Sequence, residues 1–300
     1  MQSLLLLLPD FSLILLGALL RRHLLAAENL WAGIEKLVYF VLFPALLFNA
    51  LASVPIDFAT TLPLFLCALA VLFGGFVLGW AGQPLMGLAP IAFASRLQCA
   101  YRFNTYIGIA IAGKLHGALG VATMGAMSGA MVPFANILAV SMLARHGQGS
   151  LARELLRNPL VLATLAGLGW NLAGFELVEP AQAFLKRLGD AAVTLGLLAV
   201  GAALRWGQVG GRLGGSLWLL AVKLMMMPAL AWWLGRALGI EGLAFELLVL
   251  FAALPSASSA YILAMRMGGD GPGVAWLISA STLAAVATLS FWLYLLGVAG

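Results

Sequence analysis

Apolar runs of roughly 20 residues recur along this chain, and a helix of that length crosses the hydrocarbon core of a bilayer. Such a helix satisfies its own backbone hydrogen bonds in lipid. The composition agrees, because 63% of the 300 residues are hydrophobic and only 9% are charged, against roughly 25% charged residues in a soluble domain. With a mean hydropathy of +1.05, the sequence predicts an all-α polytopic membrane protein embedded in the lipid bilayer.

Ten candidate transmembrane helices follow one another with short connections. They cover residues 3–21, 35–53, 60–81, 99–116, 119–143, 158–176, 183–205, 215–238, 246–266 and 272–297. The longest polar connections are 82–98 and 144–157. Residues 1–143 and 158–300 then hold five helices each, with 144–157 as a cytoplasmic loop between them. Because five is an odd number, the second half enters the membrane upside down, which predicts two inverted five-helix repeats.

The basic residues predict the orientation of these helices. If the N-terminus lies outside, eleven of them fall on the cytoplasmic side: Arg21, Arg22, Lys36, Arg96, Arg102, Arg145, Arg153, Arg157, Arg205, Arg212 and Arg266. Four fall on the outer side: Lys114, Lys186, Arg187 and Arg236. Loops on the cytoplasmic side carry an excess of Lys and Arg. The sequence therefore predicts a protein of the cell (inner) membrane with both termini outside.

Several function classes lack support in the sequence. The basic residues form no stripe of the kind that binds nucleic acid, and two cysteines are too few for a disulfide framework. Residues 108–115 fit the pattern G-x-x-x-x-G-K, but Leu115 stands where a magnesium-binding Ser or Thr is required. No metal-ligand cluster or hydrolase motif occurs. We therefore expect neither an enzyme nor a bound cofactor or metal.

Two of the apolar segments are interrupted by polar and small residues, at matching positions of the two halves. Residues 101–108 read YRFNTYIG, and residues 254–261 read LPSASSAY. An offset of 153 residues, about half of the chain, also places the sequence Gly-Val-Ala at 120–122 on Gly-Val-Ala at 273–275. Interrupted helices at corresponding positions of two repeats are typical of the binding sites of secondary transporters.

The residues of these interruptions suit a small anion. Pro255 has no backbone N–H and clashes with the carbonyl four residues back, which frees polar groups. Freed amides and hydroxyls bind anions, helped by the positive end of a helix dipole. The alternative is that such residues join neighbouring helices and that the proline only kinks one, but the pairing of the two clusters favours a site. The predicted substrate-binding residues are Asn104, Thr105, Pro255, Ser256 and Ser258, with Asn49 as a further candidate.

Three ionisable residues within or near the helices are candidates for ion coupling or for a charge partner, because charges are costly in a bilayer. Lys223 lies about two turns into the eighth helix, where it either pairs with the anion or extends to the inner surface. Asp190 follows Lys186 and Arg187, which suggests an ion pair at the membrane edge. His116 is a candidate for proton coupling.

Several segments, taken in order, share the pattern of a known family. They are residues 38–48 (VYFVLFPALLF), Asn104-Thr105 with Gly108, Asn158-Pro159-Leu160, residues 188–204, and Ala253-Leu254-Pro255. In this order and spacing they resemble the auxin efflux carrier family, in its short bacterial form, within the bile acid/sodium symporter-like superfamily. The resemblance extends over essentially the whole chain. One departure is that Phe103 stands where many plant members have a proline.

The resemblance implies a ten-helix inverted repeat in which helices four and nine are broken and cross each other beside the substrate. It also implies a scaffold domain, a transport domain that moves like an elevator, and a homodimer. Family members move organic anions, including auxin, malate and malonate. We therefore expect a secondary transporter of a small organic anion, with a proton or sodium as the candidate coupling ion. A sodium-coupled bile-acid-type symporter and a passive anion channel are the alternatives.

Overall fold

The computed structural model describes residues 2–53, 58–144, 159–205 and 212–298. Nearly all of these residues are helical, and no strand occurs among them. The predicted loop at 144–157 lies outside this part of the chain, except for Ala144. The first half contains α1 (Gln2–His23), α2 (Glu28–Leu37), α3 (Phe43–Ser53), α4 (Phe58–Ala81), α5 (Pro90–Leu97) and α6 (Thr105–Ala144). The second half contains α7 (Pro159–Leu172), α8 (Glu179–Ala203), α9 (Leu213–Ala221), α10 (Met227–Ala237), α11 (Gly242–Ala253), α12 (Ser259–Arg266) and α13 (Gly271–Leu295).

Five stretches are long and apolar enough to cross a membrane, as judged by length and composition within the described residues. They are Asn29–Ser53, Leu62–Ala81, Pro90–Leu143, Leu213–Ala237 and Gly271–Leu295. The protein is therefore an all-helical, multi-pass membrane protein. The first of these stretches includes all of α2 except Glu28 and begins earlier than the helix predicted from residue 35.

Two π-helical turns, Val38–Leu42 and Val222–Met226, join α2 to α3 and α9 to α10. A proline follows each turn, Pro44 in the first case and Pro228 in the second. Because a proline lacks the N–H that the carbonyl four residues back would bind, the helix widens locally. At the second turn the indole of Trp292 supplies the missing donor and binds the carbonyl of Leu224 at 3.0 Å.

Helix α6 consists of two parts that fold back on each other at Gly117. This residue has φ 58° and ψ −140°, a conformation that only glycine adopts readily. A side chain at Gly108 would contact Met124 across the hairpin, and one at Gly120 would contact the carbonyl of Ala112. The turn separates the residues of the fourth and fifth predicted transmembrane helices.

The connection predicted at 82–98 is shorter in the structure, because α5 begins at Pro90. Arg96 made this stretch look like a polar loop, but its side chain is only 4% exposed and is paired with Asp270. Arg102 is also buried. Both residues are therefore buried within the fold and do not lie in exposed loops, while the predicted excess of basic residues on the cytoplasmic side stays a prediction.

The most extensive helix contacts divide the described helices into two groups. The first group contains α1, α2, α3, α7 and α8, in which α1 packs on α8 and α3 packs on α7 and α8. The second group contains α4, α5, α6 and α9 to α13, in which α10 packs on α4 and α11. Contacts of α3 with α6 and of α1 with α13 join the groups. Both interrupted segments belong to the second group.

Candidate functional site

The two interrupted segments contact each other directly, although they are far apart in sequence. We call residues 98–104, between α5 and α6, the first break, and residues 254–258, between α11 and α12, the second break. The backbone N–H of Asn104 donates to the carbonyl of Pro255 at 2.9 Å. The rings of Phe103 and Phe251 lie beside this bond, with their centroids 4.3 Å apart. The first break forms without a proline.

Hydrogen bonds of Ser256 join the second break to the first break and to α13. Its hydroxyl donates to the carbonyl of Cys99 in the first break at 2.6 Å. Its backbone N–H donates to Oγ of Ser281 in α13 at 3.2 Å. The side chain is 1% exposed. We call the place where the two breaks touch the crossing. These bonds give Ser256 a structural function there, and its role as a substrate ligand stays a prediction.

Asn104 caps the N-terminus of α6. Its Oδ1 accepts hydrogen bonds from the backbone N–H groups of Tyr106 at 3.1 Å and Ile107 at 3.3 Å. An N-cap of this kind satisfies N–H groups that have no partner within the helix. The amide nitrogen Nδ2 has no hydrogen-bond acceptor among the described residues. Asn104 therefore has two N–H bonds available for an anion at the start of a helix.

The second break ends at Ser258, beside the N-terminus of α12, and the buried Arg102 of the first break contacts Ser259 there. The carbonyl of Ser258 accepts from the N–H of Tyr261 at 3.0 Å, while the Ser258 hydroxyl is half-buried and forms no hydrogen bond within the described residues. Nη1 of Arg102 donates to Oγ of Ser259 at 2.9 Å, and Nη2 contacts Oδ1 of Asn136. Arg102 thus brings a permanent positive charge to the crossing.

The electrostatics of the crossing favour an anion. The N-termini of α6 and α12 both lie there, and each carries a partial positive charge. The guanidinium of Arg102 adds a full charge, and neither break contains an acidic residue. Arg102 was not among the predicted site residues, because its charge was assigned to a loop. The sequence feature that could have identified Arg102 is its position within an apolar segment, two residues before Asn104.

The remaining predicted substrate residues are less closely tied to the crossing. Thr105 is the first residue of α6 and is half-buried, and its hydroxyl forms no hydrogen bond within the described part of the chain. Asn49 lies in α3, where its Oδ1 is buried without a hydrogen-bond partner among those residues. No hydrogen bond joins Asn49 to either break in the same set of residues.

Two of the three ionisable candidates have different surroundings from those that we expected. Lys223 is buried and donates to the carbonyl of Ala252 at 2.9 Å, so the expectation that it extends to the inner surface is wrong. Asp190 is exposed, and no ion pair joins it to Lys186 or Arg187 within the described residues, so that expectation is also wrong.

His116 is the third candidate. Its Nε2 lies 2.8 Å from Oε2 of Glu246 in α11, which makes an ion pair when the imidazole is protonated. A second pair lies nearby in sequence, where Nζ of Lys114 is 2.7 Å from Oδ2 of Asp10 in α1. No group of three or more His, Cys, Asp or Glu residues that could hold a metal ion occurs in the described parts of the chain.

Comparisons with known proteins agree with this geometry. A family model described as membrane transport protein matches residues 141–293, which is just over half of the chain. A protein of Rhizobium meliloti (strain 1021) named "Putative malonate transporter" is 25% identical over 315 residues, covering 97% of this chain and 95% of that protein. An "Uncharacterized transporter" of Methanothermobacter thermautotrophicus is 24% identical over 285 residues, covering 93% of this chain and 94% of that protein.

Both relatives match nearly end to end, so the similarity includes the two breaks and the helices around them. The family match covers the second break and most of the second half. From the helical architecture, the apolar stretches and the extent of the family match, we conclude that this chain belongs to the membrane transport protein family, the auxin efflux carrier family.

Proposed function

We propose that this protein is a secondary transporter of a small organic anion and that the substrate binds where the two breaks cross. The observation that carries the proposal is the hydrogen bond between Asn104 and Pro255. This bond holds two helix N-termini, the donors of Asn104 and the charge of Arg102 at one place. A carboxylate bound there would gain charge-assisted hydrogen bonds, which are stronger than neutral ones.

The substrate that we propose is a carboxylate or dicarboxylate of the size of malonate or malate. The relative from Rhizobium meliloti carries malonate in its name, and the donors at the crossing suit a carboxylate group. Nδ2 of Asn104 and the hydroxyl of Ser258 would donate to it, Thr105 would line the site, and Pro255 and Ser256 would keep the second break in place. Asn49 would approach from α3 as a further donor.

The proposed transport cycle is alternating access of the elevator type. The first helix group would be the scaffold and the second group the transport domain, because both breaks and their partners lie within the second group. The ten-helix inverted repeat, the inner-membrane location and the homodimer belong to this proposal as the family resemblance implies them. A carrier of this type shows saturable counterflow, which a passive anion channel does not.

The replacement Asn104→Asp tests the site without removing the helix cap. Aspartate keeps an oxygen that accepts from the N–H groups of Tyr106 and Ile107, but it replaces the Nδ2 donor by a negatively charged oxygen that repels a carboxylate. We expect counterflow of radiolabelled malonate into proteoliposomes to fall at least tenfold, with normal membrane insertion.

The matched control is Gln182→Glu, which adds the same charge at an exposed position of α8 and should leave counterflow unchanged. The Asn104→Ala variant should also lose transport, because it lacks the donor as well as the cap. Counterflow at the wild-type rate by Asn104→Asp would rule out this residue as a substrate ligand.

A further inference from the structure

A second polar site lies beside the crossing, at the C-terminal end of α11. Lys223 belongs to the π-helical turn between α9 and α10 and is 1% exposed. Its ammonium donates to the carbonyl of Ala252 at 2.9 Å and lies 3.7 Å from Sδ of Met227. Ala252 is the second-last residue of α11, and one residue separates it from the second break.

The carbonyl of Ala252 is available because the second break removes its partner. In a continuous helix it would accept from the N–H of the residue four positions later, which is Ser256. That N–H donates instead to Oγ of Ser281. The Lys223 ammonium therefore satisfies a carbonyl that the break has freed.

A cation is electrostatically suited to this place. The C-terminal end of a helix carries a partial negative charge, and the last carbonyls of α11 point into it. An ammonium inside a membrane protein is costly unless it is compensated. Lys223 forms no ion pair within the described residues, so the end of α11 is the compensation that the structure offers.

Freed carbonyls and helix C-termini at the breaks of secondary transporters are the groups that coordinate a coupling cation. The Lys223 ammonium and a sodium ion would compete for the same acceptor. We propose that Lys223 is a tethered cation which occupies the place of a coupling sodium ion at the end of α11, so that transport does not require sodium. This inference rests on the proposed transport function, and it decides against the sodium-coupled alternative.

Transport in proteoliposomes tests the inference first. With equal concentrations of sodium or choline outside, the wild-type protein should take up malonate at rates that agree within twofold. Lys223→Met, which keeps the length of the side chain but removes its charge, should lower the rate at least tenfold. The control Lys186→Met makes the same change at an exposed position of α8 and should transport normally. A tenfold stimulation of the wild-type protein by sodium, or normal uptake by Lys223→Met, would overturn the inference.

Thermal unfolding of the purified protein gives a second test that needs no substrate. The wild-type protein should unfold at the same temperature in sodium and in choline. Lys223→Ala should unfold at a lower temperature, and sodium should raise that temperature by several degrees because a ligand of the folded state stabilises it. Stabilisation of the wild-type protein by sodium would overturn the inference, whichever variants fold.

The two tests separate this inference from the choice of substrate. If malonate is not transported while sodium stabilises only Lys223→Ala, the proposed substrate is wrong and the tethered cation stands. If malonate is transported only with sodium, the transport function stands and the tethered cation is wrong.

Discussion

At the scale of single residues, close approach between helices depends on glycines whose side-chain positions are occupied by backbone. A Cβ atom at Gly201 of α8 would collide with the carbonyl of Ile14 in α1. One at Gly17 of α1 would collide with the carbonyl of Leu198 in α8. Small residues permit this close packing of helices in a membrane, where dispersion contacts stabilise helix association.

We expect Gly201→Ala to destabilise the protein, since the added methyl group forces α1 and α8 apart. Overpacking of this kind costs about 1–3 kcal/mol, which should lower the temperature of thermal unfolding in detergent. Gly169→Ala is the matched control, because a Cβ atom at Gly169 of α7 would contact nothing within 4 Å. The control should be neutral or stabilising, since alanine favours the helix by about 0.5–1 kcal/mol. Equal unfolding temperatures for both variants would contradict the packing argument.

At the scale of elements, a partly buried ion pair joins helix α5 to the start of α13. Asp270 caps α13, where its Oδ1 accepts from the N–H of Gly273 at 3.0 Å. Its Oδ2 accepts from Nε of Arg96 at 2.7 Å, and its backbone N–H donates to Oγ of Ser95 at 3.0 Å. One residue of the second half thus organises the helix that leads into the first break.

A double-mutant cycle should show that Arg96 and Asp270 act as a pair. Asp270→Asn keeps a capping oxygen but removes the charge, and Arg96→Met removes the other partner. Loss of one partner of a fully buried pair costs roughly 3–5 kcal/mol. Because Asp270 is partly exposed, each single variant should be destabilised by less than this. The double variant should lose clearly less free energy of unfolding than the two single losses added together. Strict additivity would mean that the two side chains do not interact.

At the scale of the whole molecule, polar contacts between the two helix groups involve Asp10 of the first group and Arg205 at the end of α8. Asp10 of α1 pairs with Lys114 of α6. At the end of α8, the N–H of Arg205 donates to Oγ of Ser279 in α13 at 2.9 Å, and the guanidinium of Arg205 lies 5.6 Å from the ring centroid of Tyr261. These contacts lie between the two groups for which we propose a relative movement, so they would have to change during transport.

The proposed orientation can be tested by labelling engineered cysteines in intact cells. Gly300→Cys should react with a membrane-impermeant maleimide from outside, and Gln148→Cys should react only after the cells are permeabilised, because basic loops stay in the cytoplasm. The native Cys67 and Cys99 are buried, so the unmodified protein should give little signal. Labelling of Gln148→Cys in intact cells would reverse the orientation.

Much of the helical architecture was predictable because its signal is local. An apolar run of the length of a bilayer specifies a helix whatever its neighbours are. The observed ends of α4, of α8 and of the combined segment from the start of α9 to the end of α10 lie within four residues of the expected ones. The exceptions are polar residues whose partners come from elsewhere in the chain. Arg96 made α5 look like a loop, because its carboxylate partner is 174 residues away.

The sequence by itself determined that the chain is a helical membrane protein and that Asn104 and Pro255 interrupt two of its apolar segments. Only the tertiary structure decided that these interruptions touch, that Asn104 caps a helix with its oxygen, and that Lys223 binds the end of α11. The physical reason is that composition and periodicity report the environment of a helix. The partner of a buried polar atom is set by packing between segments that the chain brings together only when it folds.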